Sequence, residues 1–287
     1  MNSVKKYSNN VNPNWCPGCG HFSILRGIQV AADHLKIPNE RLVVASGIGC
    51  SGRLSGYMNS YSFHGIHGRI LPVAQGIKFA NKDLVVIAAG GDGDGFAIGT
   101  NHTLHAMRRN LNITYIVLNN QVYGLTKGHT SPLSEVGFVT KSTPAGASDI
   151  PLKPGVLSLS AGVTFLAQSF SGFQEQMIDL MIKGIQHEGF SFINVFSPCV
   201  TFNKVNTYQW YRENLKDVTE DKDYDSTNFQ MAMGKLIETD GLCTGLIYQN
   251  TDTQRETKLY PTSQTPLVQQ NLNISIDEFN KIIDYHK

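Results

Sequence analysis

Two groups of residues in this chain could do chemistry. The first is the run "GGDGDGFAIGTNH", residues 90–102, which follows the apolar segment Leu84–Ala89. Glycines placed directly after a buried strand and before a helix let backbone N–H groups approach a phosphate. A nicotinamide-type loop would space them as G-x-G-x-x-G; here the spacing differs and two carboxylates, Asp92 and Asp94, sit inside the loop. A carboxylate facing a diphosphate is repulsive unless a divalent cation lies between them. The run therefore reads as diphosphate plus metal, with Mg²⁺ favoured and Asp92 as an oxygen ligand, while Asp94 is as well suited to capping a helix or accepting a hydrogen bond. The second group is the cysteines. Cys16 and Cys19 form a C-x-x-C in "WCPGCGH", Cys50 lies in "SGIGCSGR" and Cys199 in "FSPC". A C-x-x-C alone serves a redox dithiol, a zinc site or an iron–sulfur site.

The elements that must position these residues are read from periodicity. Leu42–Ser46, Leu84–Ala89, Ile113–Leu118, Val163–Ala167 and Phe192–Phe196 are short, β-branched and apolar on both faces, as buried parallel strands are. Amphipathic stretches lie between them, at His21–Leu35, Thr100–Arg109 and Phe173–His187. The stripe Phe173, Met177, Leu180, Met181 and Ile185 in the last of these is read as core packing. Strand and helix in alternation predict an α/β fold with a doubly wound, mainly parallel sheet. Residues 1–200 are expected to form the cofactor-binding domain, with 201–287 as a C-terminal extension packed on it or on a partner. In that extension, 200–225 is expected to be irregular, followed by a helix at Asn228–Glu238, a strand near Gly245–Tyr248 and a helix at Ile276–Tyr285.

In this sheet the segment "ITYIVLNNQVYG" ends in Asn119–Asn120 at the edge where ligands of open α/β sheets bind. The 25 residues between Gly93 and Asn119 leave room for one helix and one strand, so the loop and the asparagine pair emerge side by side. This combination resembles the thiamin-diphosphate-binding motif, in which Asp92, Asn120 and the carbonyl of Val122 would hold Mg²⁺. Cys50 and Cys199 follow the first and last strands, so all four cysteines can converge beside that site. Cys243 falls in the C-terminal strand and is read as a small buried side chain. A redox dithiol should follow a buried strand, whereas this C-x-x-C follows the polar "SNNVNPN". A four-thiolate zinc remains open by spacing. A thiamin cofactor beside the thiols favours a 4Fe–4S cluster, because a one-electron acceptor can complete an oxidation that zinc cannot.

The ordered set "WCPGCGH", "SGIGCSGR", "HGIHGRILPVAQGIKFAN", "GGDGDGFAIGTNH", "LNNQVYGLTKGHTSP" and "FSPC", spanning residues 15–199, resembles the β subunit of 2-oxoacid:ferredoxin oxidoreductases. The resemblance implies the pyrophosphate-domain type of thiamin fold, and Cys16, Cys19, Cys50 and Cys199 as ligands of one 4Fe–4S cluster. It implies Asp92, Asn120 and Val122 around Mg²⁺, with Gly91, Gly93, Asp94 and Gly95 near the diphosphate. Ile48, Gly49, Cys50, Ser51, His67, Gly124 and Leu125 are expected to line the cofactor. Arg53 is similar in position to a basic residue that in the family faces the 2-oxoacid carboxylate, which an arginine can grip with two parallel hydrogen bonds. His67 is expected at the cofactor or substrate, the alternative for it and Arg69 being turn bonding and a surface ion pair. Lys127 and His129 are expected at the mouth of the site or at the partner interface; the family more often shows glutamine at the latter position, so no role is carried over to it.

The implied reaction converts a 2-oxoacid (pyruvate or 2-oxoglutarate), coenzyme A and oxidised ferredoxin to acyl-CoA, CO₂ and reduced ferredoxin. Thiamin enzymes need a glutamate from a pyrimidine-binding domain, for which 287 residues leave no room, so a larger α subunit is expected, in an αβ or α₂β₂ assembly. The alternative is a non-oxidative thiamin enzyme subunit with structural zinc. Charge is balanced at 24 basic against 23 acidic residues, without blocks, so nucleic acid and anionic membranes are disfavoured. No apolar run is long enough to span a bilayer, and the polar "MNSVKKYSNNVNPNW" lacks the core of a signal peptide. Five cysteines without an export signal fit a reducing cytoplasm. Ser142–Gly155 is read as a lid or subunit contact, the alternative being a plain connecting loop.

Overall fold

The computed structural model describes residues 4–250, 265–271 and 273–286. Part of the expected C-terminal extension, 251–264, therefore lies outside the described residues. Strands run β1 (Leu42–Ser46), β2 (Tyr61–His64), β3 (Val85–Gly91), β4 (Ile113–Asn119), β5 (Val122–Tyr123), β6 (His129–Thr130), β7 (Phe165–Phe170), β8 (Phe190–Phe196), β9 (Lys216–Asp217) and β10 (Cys243–Gln249). Helices are α1 (His21–His34), α2 (Ile70–Ala80), α3 (Thr100–Arg109), α4 (Pro154–Ser160), α5 (Gln174–Gln186), α6 (Tyr208–Asn214), α7 (Phe229–Glu238) and α8 (Ile276–Tyr285).

An eight-stranded sheet has the order β2-β1-β3-β4-β8-β7-β10-β9, and β5 and β6 form a separate hairpin. The six strands from β2 to β7 are mutually parallel; β10 runs antiparallel to β7. The chain leaves β1 toward β2 on one side and leaves β3 toward β4 on the other. The crevice between β1 and β3 is thus the topological switch point, where open sheets of this kind bind ligands. Register brings the C-terminal ends level: Ser46 pairs with Ala89, Gly91 with Leu118 and Asn119 with Phe196. The loops bearing Cys50, Asp92, Asn120 and Cys199 consequently leave the same edge.

Both faces of the sheet are covered, which is why its strands lack polar alternation. Val86, Ala88, Tyr115 and Val117 face a core closed by α2, α3, α4 and α7, while Ile87, Ala89, Ile116 and Leu118 face one closed by α1 and α5. Met177, Leu180 and Met181 are buried in the second core, as the stripe in α5 required. At the crossing of these helices a Cβ on Gly27 would stand 3.0 Å from the Met181 sulfur, so a side chain there would force the pair apart.

Three elements depart from the sequence reading. Residues 208–214 are helical within the stretch expected to be irregular. Thr207 caps α6 by accepting the Trp210 N–H, and Tyr208 and Tyr211 stack on Phe170 and Phe196 at the sheet edge. The loop beginning at Ser142 gives way to α4, which starts on Pro154, a residue preset for the first helical turn. β2 is an edge strand exposed throughout, and its Tyr-Ser-Phe-His sequence has no apolar run. β9 and β10 extend the same sheet, and Cys243 on β10 is buried.

Candidate active site

The loop after β3 is short of space. Asp92 and Gly93 lead into a π-helical turn at Asp94–Ile98 and then into α3. A Cβ on Gly93 would lie 2.2 Å from the Tyr123 ring, whose hydroxyl donates to the Gly93 carbonyl at 3.1 Å. Tyr123 thus lies across the loop, and only glycine allows it.

Asp92 is buried, and each of its oxygens is engaged. Oδ1 accepts the Asn120 N–H at 3.2 Å and Oδ2 accepts the Ser131 hydroxyl at 2.5 Å. Burial pushes its carboxyl up to about 6, against the hydrogen bonds from Ser131, Asn120 and Gln121. A cation in contact would hold the group ionised. The Asn120 side chain turns back to accept the Val122 N–H at 3.1 Å, and Gln121 between them has φ 56°, a left-handed conformation in a non-glycine residue. This turn brings the Asn120 side chain and the Val122 backbone beside Asp92, an all-oxygen donor set of the kind hard divalent cations take.

Asp94 does different work. Its Oδ1 accepts the N–H of Ile48 at 3.0 Å and of Gly68 at 2.9 Å, so one carboxylate ties the loops after β1, β2 and β3 together. His67 Nδ1 approaches to 2.9 Å, an ion-pair distance without hydrogen-bond alignment. Burial raises the Asp94 carboxyl, while the Gly68 and Ile48 N–H groups and His67 oppose it. A Cβ on Gly47 would stand 1.9 Å from Asp94 Oδ2, so glycine there is what lets the carboxylate in.

These groups line a cavity of about 450 Å³. Of the residues expected around the cofactor, Ile48, Gly49, Cys50, Ser51, His67, Gly91, Asp92, Gly93, Asp94, Asn120, Val122, Gly124 and Leu125 all face it; Gly95 does not, being packed under Tyr115. Tyr123, Thr126, His129 and His21 also line it. His129 Nδ1 lies 2.9 Å from the Thr126 hydroxyl. His21 is buried against Trp15 and Ser197, which pushes its imidazole down to about 4 and keeps it neutral.

Behind this cavity lies another, of about 360 Å³, lined by Cys16, Cys19, Cys50 and Cys199. Cys50, Asn120, Gly124 and Leu125 face both cavities and form their common wall. A Cβ on Gly124 would lie 3.5 Å from the Cys50 sulfur and 3.6 Å from that of Cys199, so the two sulfurs are within about 7 Å of each other. The Trp15 indole donates to the Cys50 carbonyl at 2.7 Å and pins the first cysteine loop to the second. Among the described residues, no three Cys, His or carboxylate side chains converge as ligands of a single ion. The four thiols line one common cavity. Burial raises Cys19 to about 12 and Cys50 to about 11, and the neighbouring thiols add to both shifts, so these two ionise only beside positive charge.

Arg53 does not line the cavity of the metal clamp. It is exposed and stands where the cysteine cavity meets a third one of about 500 Å³, shared with Ile48, Gly49, Ser62, His64 and Leu125. His64, Tyr123 and Ser131 are site residues that the sequence reading missed. A histidine three residues before His67 is the one sequence signal for His64; nothing marks the other two.

A family model described as "Thiamine pyrophosphate enzyme, C-terminal TPP binding domain" matches residues 47–195, and the model for the C-terminal part of the pyruvate ferredoxin oxidoreductase beta subunit matches 199–264. The subunit beta of 2-oxoacid:ferredoxin oxidoreductase 2 from Aeropyrum pernix is 42% identical over 211 residues, covering 74% of this chain and 68% of that one. The 2-oxoglutarate oxidoreductase subunit KorB of Mycobacterium tuberculosis is 42% identical over 199 residues, covering 69% of this chain and 53% of its own length. Among solved structures, the 2-oxoglutarate:ferredoxin oxidoreductase from Magnetococcus marinus, with 2-oxoglutarate, coenzyme A and succinyl-CoA bound, superposes with a TM-score of 0.86 at 37% identity, covering 99% of this chain and 96% of that one.

Proposed function

The chain belongs to the family of 2-oxoacid:ferredoxin oxidoreductase β subunits, and from that membership we propose that it holds the diphosphate end of thiamine pyrophosphate through Mg²⁺ and carries one 4Fe–4S cluster. With a larger α subunit it would catalyse the coenzyme A-dependent oxidative decarboxylation of a 2-oxoacid, with ferredoxin as electron acceptor. Relatives named for 2-oxoglutarate favour that substrate within the class. The observation that carries the proposal is the common wall. Cys50, Asn120, Gly124 and Leu125 separate the cavity of the metal clamp from the cavity of the four thiols. An oxidative thiamin enzyme needs an electron acceptor at that place; a non-oxidative one does not.

Thiamine pyrophosphate, when bound, supplies the electron sink for decarboxylation. The chain's own residues prepare its place. Asp92, Asn120 and the Val122 carbonyl offer oxygens to Mg²⁺, and the Gly91–Gly93 backbone leaves room for the diphosphate. Asp94 keeps the loops after β1, β2 and β3 in register around it. Tyr123 lies across the loop and holds it through the Gly93 carbonyl. His67, a third exposed and facing the cavity, would be available to the cofactor or the substrate there. Arg53 and His64, on the adjoining cavity, are placed to meet a substrate carboxylate arriving past Ile48 and Leu125.

The four thiols line one cavity that shares a wall with the metal clamp, which supports a cluster there, since a cluster can take up electrons that a zinc ion cannot. Five free cysteines support a reducing cytoplasmic location, and among the described residues no helix is long and apolar enough to cross a membrane. The test is turnover. The α and β chains, co-purified anaerobically, should reduce ferredoxin on addition of 2-oxoacid and coenzyme A, and the β chain alone should not. Turnover by β alone, or coenzyme A-independent decarboxylation with no ferredoxin reduction, would overturn the proposal.

A further inference from the structure

The hairpin β5–β6 hangs over the site, and both of its ends are fastened to one carboxylate. Where the chain enters it, Asn120 donates its N–H to Asp92 Oδ1; where the chain leaves, Ser131 donates its hydroxyl to Asp92 Oδ2. Ser131 is buried, and its own surroundings fix its orientation. Its oxygen accepts the Leu133 N–H at 3.3 Å, and its backbone N–H donates to Ser134 Oγ at 2.8 Å. Ser134 in turn donates to the Gln121 carbonyl at 2.6 Å. The circuit Asp92–Ser131–Ser134–Gln121–Asn120 therefore closes on itself. It encloses the left-handed Gln121, the residue whose conformation points Asn120 and Val122 the same way. A non-glycine residue holds that conformation where its surroundings impose it, and here the hydrogen bond to its carbonyl comes from Ser134.

We propose that Ser131, with Ser134 behind it, is the positioning residue of the metal clamp. Its hydroxyl sets the rotation of the Asp92 carboxylate and closes the base of the hairpin, so that Asp92, Asn120 and the Val122 carbonyl are held in one arrangement before the cation and diphosphate arrive. This rests on the reading of those three as Mg²⁺ ligands. The hairpin also contributes Gly124 and Leu125 to the wall shared with the cysteine cavity. A loose hairpin would therefore loosen that wall as well.

The experiment uses the αβ complex stripped of cofactor with a chelator. Binding of thiamine pyrophosphate is titrated calorimetrically at fixed Mg²⁺, and binding of Mg²⁺ at fixed thiamine pyrophosphate. Losing a charge-assisted hydrogen bond predicts that Ser131→Ala weakens both affinities by about tenfold or more. Ser131→Thr, which keeps the hydroxyl, should restore most of that. Ser134→Ala should weaken both affinities by a smaller factor. The unfolding midpoint of the stripped Ser131→Ala complex should fall by only a few degrees, the cost of one hydrogen bond to a buried carboxylate, and Ser131→Thr should return it. Affinities of Ser131→Ala within about twofold of wild type would overturn the inference. So would a stripped complex destabilised in step with the affinity loss and not restored by Ser131→Thr, because that marks a role in folding alone. If the wild-type complex shows no Mg²⁺-dependent binding of thiamine pyrophosphate, the ligand reading itself falls and takes the inference with it.

Discussion

Replacing Asp94 separates two roles a buried carboxylate in this loop can have. As a metal ligand it would contribute charge; as a brace it contributes acceptor oxygens to Ile48 and Gly68. Asp94→Asn retains an acceptor at Oδ1 and removes the charge, whereas Asp94→Ala removes both. Each hydrogen bond to an ionised acceptor is worth about 1.5–3 kcal/mol. The bond to Gly68 is buried and that to Ile48 only partly so, which puts the cost of Asp94→Ala at about 3 kcal/mol. For a chain of this size that lowers the unfolding midpoint by about 5 °C. The ion pair with His67 adds little, since the imidazole is a third exposed. Thermal unfolding of the stripped complex should therefore rank wild type above Asp94→Asn and that well above Asp94→Ala. Mg²⁺ affinity should survive in Asp94→Asn within a small factor. The brace is refuted if Asp94→Ala unfolds at the wild-type temperature, or if Asp94→Asn abolishes Mg²⁺ binding while the fold stays intact.

Other outcomes follow from the same geometry. Gly93→Ala places a Cβ 2.2 Å from the Tyr123 ring, so the ring must leave the loop; thiamine pyrophosphate affinity should drop, and Gly93→Ala combined with Tyr123→Ala should recover part of it. Cys199→Ser should abolish the iron chromophore of the complex while Cys243→Ser, at a buried cysteine on β10 remote from the other four, leaves it unchanged. Asp92 has its carboxyl raised by burial to about 6 from 3.8, so the metal-free fold binds this proton more tightly than the unfolded chain. Its contribution to stability is therefore fully present below the unfolded value and lost as pH rises toward about 6. Mg²⁺ affinity should run the other way, weakening as pH falls below about 6, and isothermal titration in two buffers of different ionisation enthalpy should show proton release on Mg²⁺ binding there.

What the sequence made legible was what local pattern encodes. β1 at Leu42–Ser46 and α3 at Thr100–Arg109 lie where apolar runs and helical periodicity place them. Asp92, Asn120, Cys50 and Cys199 were legible because they fall just past strand ends, which a parallel sheet brings level, whereas Cys16 and Cys19 were legible only as a C-x-x-C ahead of α1. β2 was not, because an exposed edge strand needs no apolar run. α6 was hidden because aromatic packing against Phe170 and Phe196 stabilises it, and those residues are far away in sequence. Asp94 as a brace and Ser131 as a support could not be read from the chain, since each acts on groups brought near only by folding: Ile48 and Gly68 for one, Asp92 for the other. Arg53 has the residue type for gripping a carboxylate, and its place on the cavity that adjoins the metal clamp beside Ile48 and Leu125 is set by the fold, not by anything local in the chain.

The central claim is that the four thiols hold a redox centre against the wall of the thiamin site. Its most direct test is metal and acid-labile sulfide analysis of the anaerobically purified αβ complex, joined to electron paramagnetic resonance before and after adding 2-oxoacid and coenzyme A. A redox centre there predicts a brown protein with iron and sulfide in equal amounts, and a reduced-cluster signal that appears on substrate addition and is absent in Cys199→Ser. A colourless complex with one zinc per β chain, still competent to decarboxylate a 2-oxoacid, would contradict it.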